Sequence, residues 1–197
     1  IELAIQTGVP IILDNEDECR LTQAVAKRIG NKANVGFRIS GFSVNGEKLY
    51  SRFGFDVDEV IDFIGSYVGE NKAFNLLEVT GLHFHLDGYS THQRSVSLIS
   101  SIHIAAALKD KGHEVSFIDI GGGILMNYLE DEEEWSSFNE NLKKAVTDQS
   151  NDITFNNNGL GFRLEDGELR GRLNTYPFFN KINKGTFLKE VLDFMDE

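Results

Sequence analysis

The chain has 197 residues, 41% of them hydrophobic and 25% charged, so it can bury a substantial core. Its 31 acidic residues outnumber its 19 basic ones, and the formal net charge of −12 argues against nucleic acid or an anionic membrane as a partner. The single cysteine, Cys19, cannot form an internal disulfide and is expected to be a small buried hydrophobe. No apolar run approaches the length of a membrane span. These features predict a globular, cytoplasmic protein.

Four short runs rich in β-branched and aromatic residues predict buried parallel strands, and each precedes a helical pattern. Their starts lie roughly 35 residues apart, close to the repeat of an eight-fold βα barrel. The fold class is therefore α/β, with about four βα units of a (β/α)8 barrel, although four or five strands could also complete a doubly wound open sheet. The runs are VPIIL (9–13), VGFRI (35–39), VTGLHFHL (79–86) and VSFIDI (115–120).

Five helices are predicted from apolar residues that recur at helical spacing, together with capping residues. From 149 to 184 the alternation stops, and this segment predicts a loop-rich insertion with one hairpin turning at Asp166 and Gly167. The first helix has Leu21, Val25 and Ile29 on one face and ends at Gly30. The second and third span 57–68 and 91–111. The fourth contains Trp135 and Leu142 and begins with acidic residues, and the fifth spans 186–195. The last is predicted to be capped by Thr186, with Leu188, Val191, Leu192 and Met195 on one face.

Three consecutive glycines directly follow the fourth predicted strand, at the end where parallel α/β folds place their functional residues. At Gly121, Gly122 and Gly123 the backbone could curl around a phosphate and point several N–H groups at it. They could equally form a sharp turn without a ligand, and the spaced glycine pattern of dinucleotide-binding proteins is absent.

Two histidines on the third strand, His83 and His85, lie two residues apart and therefore face the same side. Such an imidazole could stack on a planar cofactor, bind a metal, or form a hydrogen bond within the barrel wall. Ser90 adds a hydroxyl at the same rim, suited to a phosphate oxygen.

A single charge, Arg38, interrupts the apolar second strand. A guanidinium in such a place needs an anionic or polar partner. That partner is either a ligand or an internal carboxylate, with Asp14 and Asp119 as the candidates.

The ordered motifs ILDNEDE, VGFRIS, SRFGFD, GLHFHLDGYS and FIDIGGGI resemble the alanine-racemase-like barrel of fold-type III pyridoxal 5'-phosphate (PLP) enzymes, specifically the diaminopimelate and ornithine decarboxylase group. The resemblance covers about residues 1–128 and implies strands three to six of the barrel. It implies that His85 stacks on the pyridine ring and that Arg38 orders hydrogen bonds on the cofactor side, so that both are catalytic residues. It further implies that Ser90 or its neighbours contact the phosphate, and that Gly121, Gly122 and Gly123 cradle it.

The resemblance also implies what the whole protein does and how this chain is organised. We expect a homodimeric PLP-dependent decarboxylase that acts on a small diamino or basic amino acid, of a divergent subgroup, with the lysine that holds PLP outside this segment. The segment would comprise the central part of the PLP-binding barrel (1–148), the insertion (149–184) and a helix continuing the barrel (185–197), and would be inactive alone. Two alternatives remain: a metal-dependent barrel hydrolase using His83 and His85, and a non-catalytic PLP-binding protein.

Overall fold

The computed structural model describes residues 1–149 and 153–195. They fall into two compact units, the first made of Ile1–Gly123 and Lys189–Glu197 and the second of Ile124–Leu188. Parts of the predicted insertion (150–152) and of the predicted last segment (196–197) lie outside the described residues. Within the described ranges, no helix combines the length and the apolarity needed to cross a membrane.

The first unit is built on a parallel sheet in which the strands lie side by side in chain order. Each of the four predicted runs contributes one of its strands, so the predicted α/β class and the βα repeat are confirmed. The strands of the chain are β1 (Ile11–Leu13), β2 (Ala33–Ser40), β3 (Ser43–Val44), β4 (Glu47–Lys48), β5 (Phe55–Asp56), β6 (Leu77–His83), β7 (Phe117–Asp119), β8 (Phe162–Glu165) and β9 (Glu168–Gly171). The sheet has the order β1-β2-β6-β7, and the short β5 also pairs with β2.

The central strand β2 alternates apolar residues with small or polar ones, so its apolar side chains share one face of the sheet. Val35, Phe37 and Ile39 are all fully buried. The pairing runs in register from Ile11 through Val35 to Val79, which aligns the carboxyl ends of the strands along one edge. The sheet therefore brings residues that are far apart in the sequence to a common rim.

The helices of the chain are α1 (Glu2–Thr7), α2 (Glu16–Ile29), α3 (Val60–Tyr67), α4 (Thr91–Asp110), α5 (Glu132–Thr147) and α6 (Lys184–Asp193). In α2 the predicted end at Gly30 is confirmed, because this glycine has a φ of 75° and its N–H donates to the carbonyl of Ala26. Cys19 is buried, as predicted, and burial raises the pKa of its thiol to about 12. Leu21, placed on the predicted stripe, is exposed instead.

The last helix differs from its prediction in both its start and its buried face. Because α6 already begins at Lys184, Thr186 lies inside the helix and is not its cap. Val191 is fully buried, as predicted, but Leu188 and Leu192 are exposed, and the second fully buried residue is Phe187, which the predicted face did not include. Both pairs have the same four-residue spacing, and the spacing alone could not decide between them.

The second unit contains α5 and an antiparallel hairpin formed by β8 and β9. The hairpin turns at Asp166 and Gly167, as predicted, and both residues have the positive φ values, 54° and 79°, that tight hairpin turns favour. The acidic residues before Trp135 begin α5, as predicted. Asp131 caps the helix by accepting a hydrogen bond from the N–H of Glu134.

Candidate functional site

Three polar residues lie side by side where the central strands end. Arg38 on β2 pairs in register with His83 on β6, which in turn pairs with Asp119 on β7. Because the strands are parallel, this row lies at the carboxyl edge of the sheet, the edge at which open α/β sheets and βα barrels bind their ligands.

Each charge in this row has a partner within the protein. The Nη1 atom of Arg38 lies 3.3 Å from Oδ1 of Asp14, so the prediction of an internal carboxylate is confirmed for Asp14. Asp119, the other candidate, instead places Oδ2 at 3.1 Å from Nδ1 of His83. The guanidinium of Arg38 also lies over the ring of Phe53, 4.9 Å from its centroid. The row is thus held by the Arg38–Asp14 ion pair, the contact between His83 and Asp119, and the packing of Arg38 on Phe53.

The glycine loop, residues 121–123, begins directly after this row and requires glycine at two of its positions. Gly121 and Gly123 have φ values of 72° and 80°, in the left-handed region that favours glycine. A Cβ at Gly121 would lie 2.4 Å from the carbonyl oxygen of Phe84, and one at Gly123 would lie 2.8 Å from Nη2 of Arg94. The loop is therefore a tight curl of bare backbone against the end of β6.

The three backbone N–H groups of the glycine loop differ in whether they donate a hydrogen bond. The N–H of Gly121 donates to Oδ1 of Asp119 at 2.8 Å. In the part of the chain that the structure describes, no hydrogen bond is donated by the N–H groups of Gly122 and Gly123, which are exposed. Two adjacent donors in a curled backbone are suited to the oxygens of an anion such as phosphate.

His85 lies two residues beyond the end of β6 and is exposed. A Cβ at Gly121 would be 3.1 Å from its Nδ1, and one at Gly122 would be 3.7 Å from its Cε1, so the imidazole lies against the glycine loop. His85 also lines a cavity of about 440 Å³, together with Arg38, Phe42, Tyr50 and Gln93. This volume is within the range of small-molecule sites. A phosphate at the loop could thus belong to a ligand whose ring lies beside His85.

An ion-pair cluster lies on the rim of the same cavity. The Nζ of Lys48 lies 2.8 Å from Asp56 and 2.9 Å from Asp58. Burial alone would raise the pKa of Asp56, but the hydrogen bonds from Lys48 and from the N–H of Asp58 outweigh it and lower that pKa. The hydrogen bonds that Lys48 donates to the side chains of Asp56 and Asp58 raise the pKa of Lys48. At neutral pH Lys48 and Asp56 are therefore both charged.

Ser90 caps α4, and its Oγ accepts a hydrogen bond from the N–H of Gln93 at 3.1 Å. The capping bond uses one lone pair and leaves the hydroxyl proton free to donate. Its contact with a phosphate stays a prediction.

Arg94 is a residue of the site that sequence reasoning missed. It is fully buried, and its Nη2 donates to the carbonyl of Gly122, while Nη1 lies 3.5 Å from the carbonyl of Gly88. Burial lowers the pKa of its guanidinium. A signal was present, because Arg94 shares a stripe of three- and four-residue steps with the buried residues Ser97, Ser101, Ile104 and Leu108.

The fold and site geometry agree with a match to a known family. The sequence pattern of the family described as "Pyridoxal-dependent decarboxylase, pyridoxal binding domain" matches residues 1–166. The chain belongs to this family of PLP-dependent decarboxylases. At the level of the family, the glycine loop and the neighbouring cavity are therefore part of a PLP-binding domain.

Curated relatives of this chain are named for different substrates. The biosynthetic arginine decarboxylase of Vibrio cholerae is 30% identical over 60% of this chain and 19% of its own length. The diaminopimelate decarboxylase of Aquifex aeolicus is 25% identical over 62% of this chain and 30% of its own length. The 2-[(L-alanin-3-ylcarbamoyl)methyl]-2-hydroxybutanedioate decarboxylase of Staphylococcus aureus is 29% identical over 74% and 35%. The chain thus spans between 19% and 35% of these relatives.

Solved structures share the fold of this chain. The diaminopimelate decarboxylase of Helicobacter pylori, complexed with L-lysine, aligns with a TM-score of 0.54 and 23% identity over 66% of this chain and 35% of its own. The arginine decarboxylase of Paramecium bursaria Chlorella virus aligns with a TM-score of 0.50 and 22% identity over 73% and 37%. The predicted partial barrel of the alanine racemase type agrees with these neighbours.

A metal-dependent hydrolase would need further metal ligands beside His83 and His85, and the described residues do not provide them. The nearest carboxylate, Asp119, is already engaged by His83 and by the N–H of Gly121. Over residues 1–149 and 153–195, no group of three or more His, Cys, Asp or Glu side chains is placed to hold a metal ion. Three protein ligands are the usual minimum for a catalytic zinc.

Proposed function

We propose that this chain supplies the phosphate and ring contacts of PLP in an amino-acid decarboxylase. The observation that carries the proposal is the glycine loop, whose two unused N–H groups lie beside His85 and a cavity of about 440 Å³. The residues present fit the cofactor, because the loop offers two exposed N–H donors for phosphate oxygens and a Cβ at Gly121 would collide with the carbonyl oxygen of Phe84. Family membership supports the same cofactor.

Each residue has a separate task in this proposal. The N–H groups of Gly122 and Gly123 donate to phosphate oxygens, and the Ser90 hydroxyl donates a third hydrogen bond from the start of α4. His85 would stack on one face of the pyridine ring. When bound, PLP supplies an electron sink for the charge left at the α-carbon as carbon dioxide departs.

Arg38 orders the cofactor side of the site in this proposal. Its ion pair with Asp14 and its contact with the Phe53 ring fix the guanidinium at the cavity wall. A fixed donor there can orient a bound ligand without reorganising, which is the general advantage of a preorganised site. The domain division into a barrel part (1–148), an insertion (149–184) and a final segment (185–197) is part of the same proposal.

The proposed substrate is a small basic or diamino acid. Two curated relatives are named for arginine and diaminopimelate, and the exposed carboxylate of Asp87 lines the cavity, where it could receive a distal cationic group. The whole protein is proposed to be a cytoplasmic homodimer, and its mass in sedimentation tests the dimer.

The test uses the full-length gene product. PLP is added, borohydride reduces any lysine–cofactor bond, and mass spectrometry maps the labelled peptide, while carbon dioxide release is measured with arginine, diaminopimelate, ornithine and lysine. One labelled lysine with release from a basic or diamino acid is the expected result. A specific label without release from any amino acid would favour a non-catalytic PLP-binding protein. No specific label would refute PLP chemistry at this site.

A further inference from the structure

The two segments that shape the proposed phosphate site are joined by one buried side chain. Arg94 lies in the first turn of α4 and is fully buried. Its guanidinium donates through Nη2 to the carbonyl of Gly122, in the glycine loop, and its Nη1 lies 3.5 Å from the carbonyl of Gly88, in the loop that follows His85. A single rigid fork thus touches both walls of the site.

These contacts determine which way the loop backbone points. A peptide unit directs its C=O and the following N–H to opposite sides, so a carbonyl held toward Arg94 turns the next N–H away from it. The carbonyl of Gly122 is the one that Arg94 holds, and the next N–H is that of Gly123, one of the two unused donors. The φ of 80° at Gly123 maintains the same curl.

The guanidinium of Arg94 packs closely against the glycine loop. A Cβ at Gly123 would come within 2.8 Å of Nη2, so the side chain lies directly against the backbone of the loop. Arginine is suited to this task, because its planar fork can hold two carbonyl oxygens at fixed angles and keeps its charge near neutral pH.

We propose that Arg94 is the positioning residue of the phosphate cradle, holding the glycine loop so that its N–H groups face the 5'-phosphate of the cofactor. This inference rests on the proposed function and adds to it a residue that acts through the loop.

The test compares two ligands that differ only in the phosphate. Full-length wild type and the variants Arg94→Met and Arg94→Lys are titrated with PLP and with pyridoxal, followed by cofactor absorbance, and inorganic phosphate is used as a competitor. Arg28→Met is the control, since Arg28 is an exposed arginine paired with Glu2. Circular dichroism and thermal unfolding establish that each variant is folded.

Loss of one charge-assisted hydrogen bond predicts that Arg94→Met binds PLP about ten- to a hundredfold more weakly, with little change for pyridoxal. Arg94→Lys should recover part of this loss, because lysine keeps the charge but not the fork. If Arg94→Met does not fold, a phosphate-selective loss in Arg94→Lys carries the same conclusion.

Equal weakening of PLP and pyridoxal would overturn the inference, because it would reduce Arg94 to a structural role. An unchanged preference for PLP in both variants would also overturn it while leaving the proposed function intact. If wild type itself shows no preference for PLP over pyridoxal, the proposed phosphate site fails, and the role of Arg94 fails with it.

Discussion

The change Gly121→Ala tests whether the glycine loop binds phosphate, and the chain offers a matched control. Gly121 and Gly8 share a φ of 72°, but a Cβ at Gly8 meets nothing within 4 Å, whereas one at Gly121 would lie 2.4 Å from the carbonyl oxygen of Phe84. Alanine in the left-handed region costs about 1 kcal/mol at either position. The difference between the two variants therefore isolates the collision with the backbone.

The collision at Gly121 cannot be relieved by a side-chain movement. The Phe84 oxygen belongs to the backbone at the end of β6, and the N–H of Phe84 is itself bonded to the carbonyl of Asp119 at 3.0 Å. The glycine loop must therefore shift, by about 1 Å, to restore an ordinary contact distance. We expect Gly121→Ala to lower the free energy of unfolding by about 2–3 kcal/mol, against about 1 kcal/mol for Gly8→Ala.

The shift should also weaken the binding of the cofactor. Misplacing one N–H that donates to a phosphate oxygen costs about 1.5–3 kcal/mol, so PLP affinity should fall about ten- to a hundredfold. Thermal unfolding and equilibrium titration with PLP measure the two effects on full-length protein. If Gly121→Ala and Gly8→Ala bind PLP equally well, the reasoning that places the phosphate at this loop is refuted.

Three further predictions concern a helix cap, the reactivity of a buried thiol and the pH dependence of an ion pair. Asn15→Ala removes the side-chain acceptor for the N–H of Glu18 at the start of α2 and should lower the free energy of unfolding by about 1 kcal/mol in a denaturant titration, while Asn15→Asp should retain it. Burial raises the pKa of the Cys19 thiol from 9.0 to about 12, so its thiolate fraction in the native protein should be about a thousandfold below that of a free thiol. Rapid labelling of the native protein by a thiol reagent would contradict this. Because the folded state lowers the pKa of Asp56, its ionised form contributes stability above the ordinary value of 3.8 and loses it as the pH falls through the lowered value. The destabilisation caused by Asp56→Asn should therefore be less than about 1 kcal/mol at pH 7 and vanish in acid, and a cost that is constant with pH would exclude the ion pair with Lys48 as its source.

The position of the site could be predicted from the sequence because it depends on where strands end. β-branched and aromatic runs locate the four strands, and parallel strands in register place Arg38 and Asp119 on one edge. The sequence offered two carboxylates, Asp14 and Asp119, as the partner of Arg38. Only the pairing of β1 with β2 in the folded chain shows that the partner is Asp14. His83 and His85 were expected on one strand face, but β6 ends at His83, so the two residues have different partners.

The buried face of α6 shows why spacing alone fails at the level of single side chains. Phe187 and Val191 share the four-residue step of Leu188 and Leu192, so either pair could form the apolar face. The choice depends on what packs against the helix, which is tertiary information. The helix itself, by contrast, was predicted to within two residues at each end.

The glycine loop shows how a chain with a formal net charge of −12 could hold an anion without a basic patch. The N–H of Gly121 is held by Asp119, and the carbonyl of Gly122 is held by Arg94. With those two groups engaged, the exposed Gly122 and Gly123 keep N–H groups that donate no hydrogen bond within the described part of the chain. Because the curl of the loop is fixed by folding, binding a phosphate would cost little reorganisation, and local backbone donors could outweigh the unfavourable field of the whole protein.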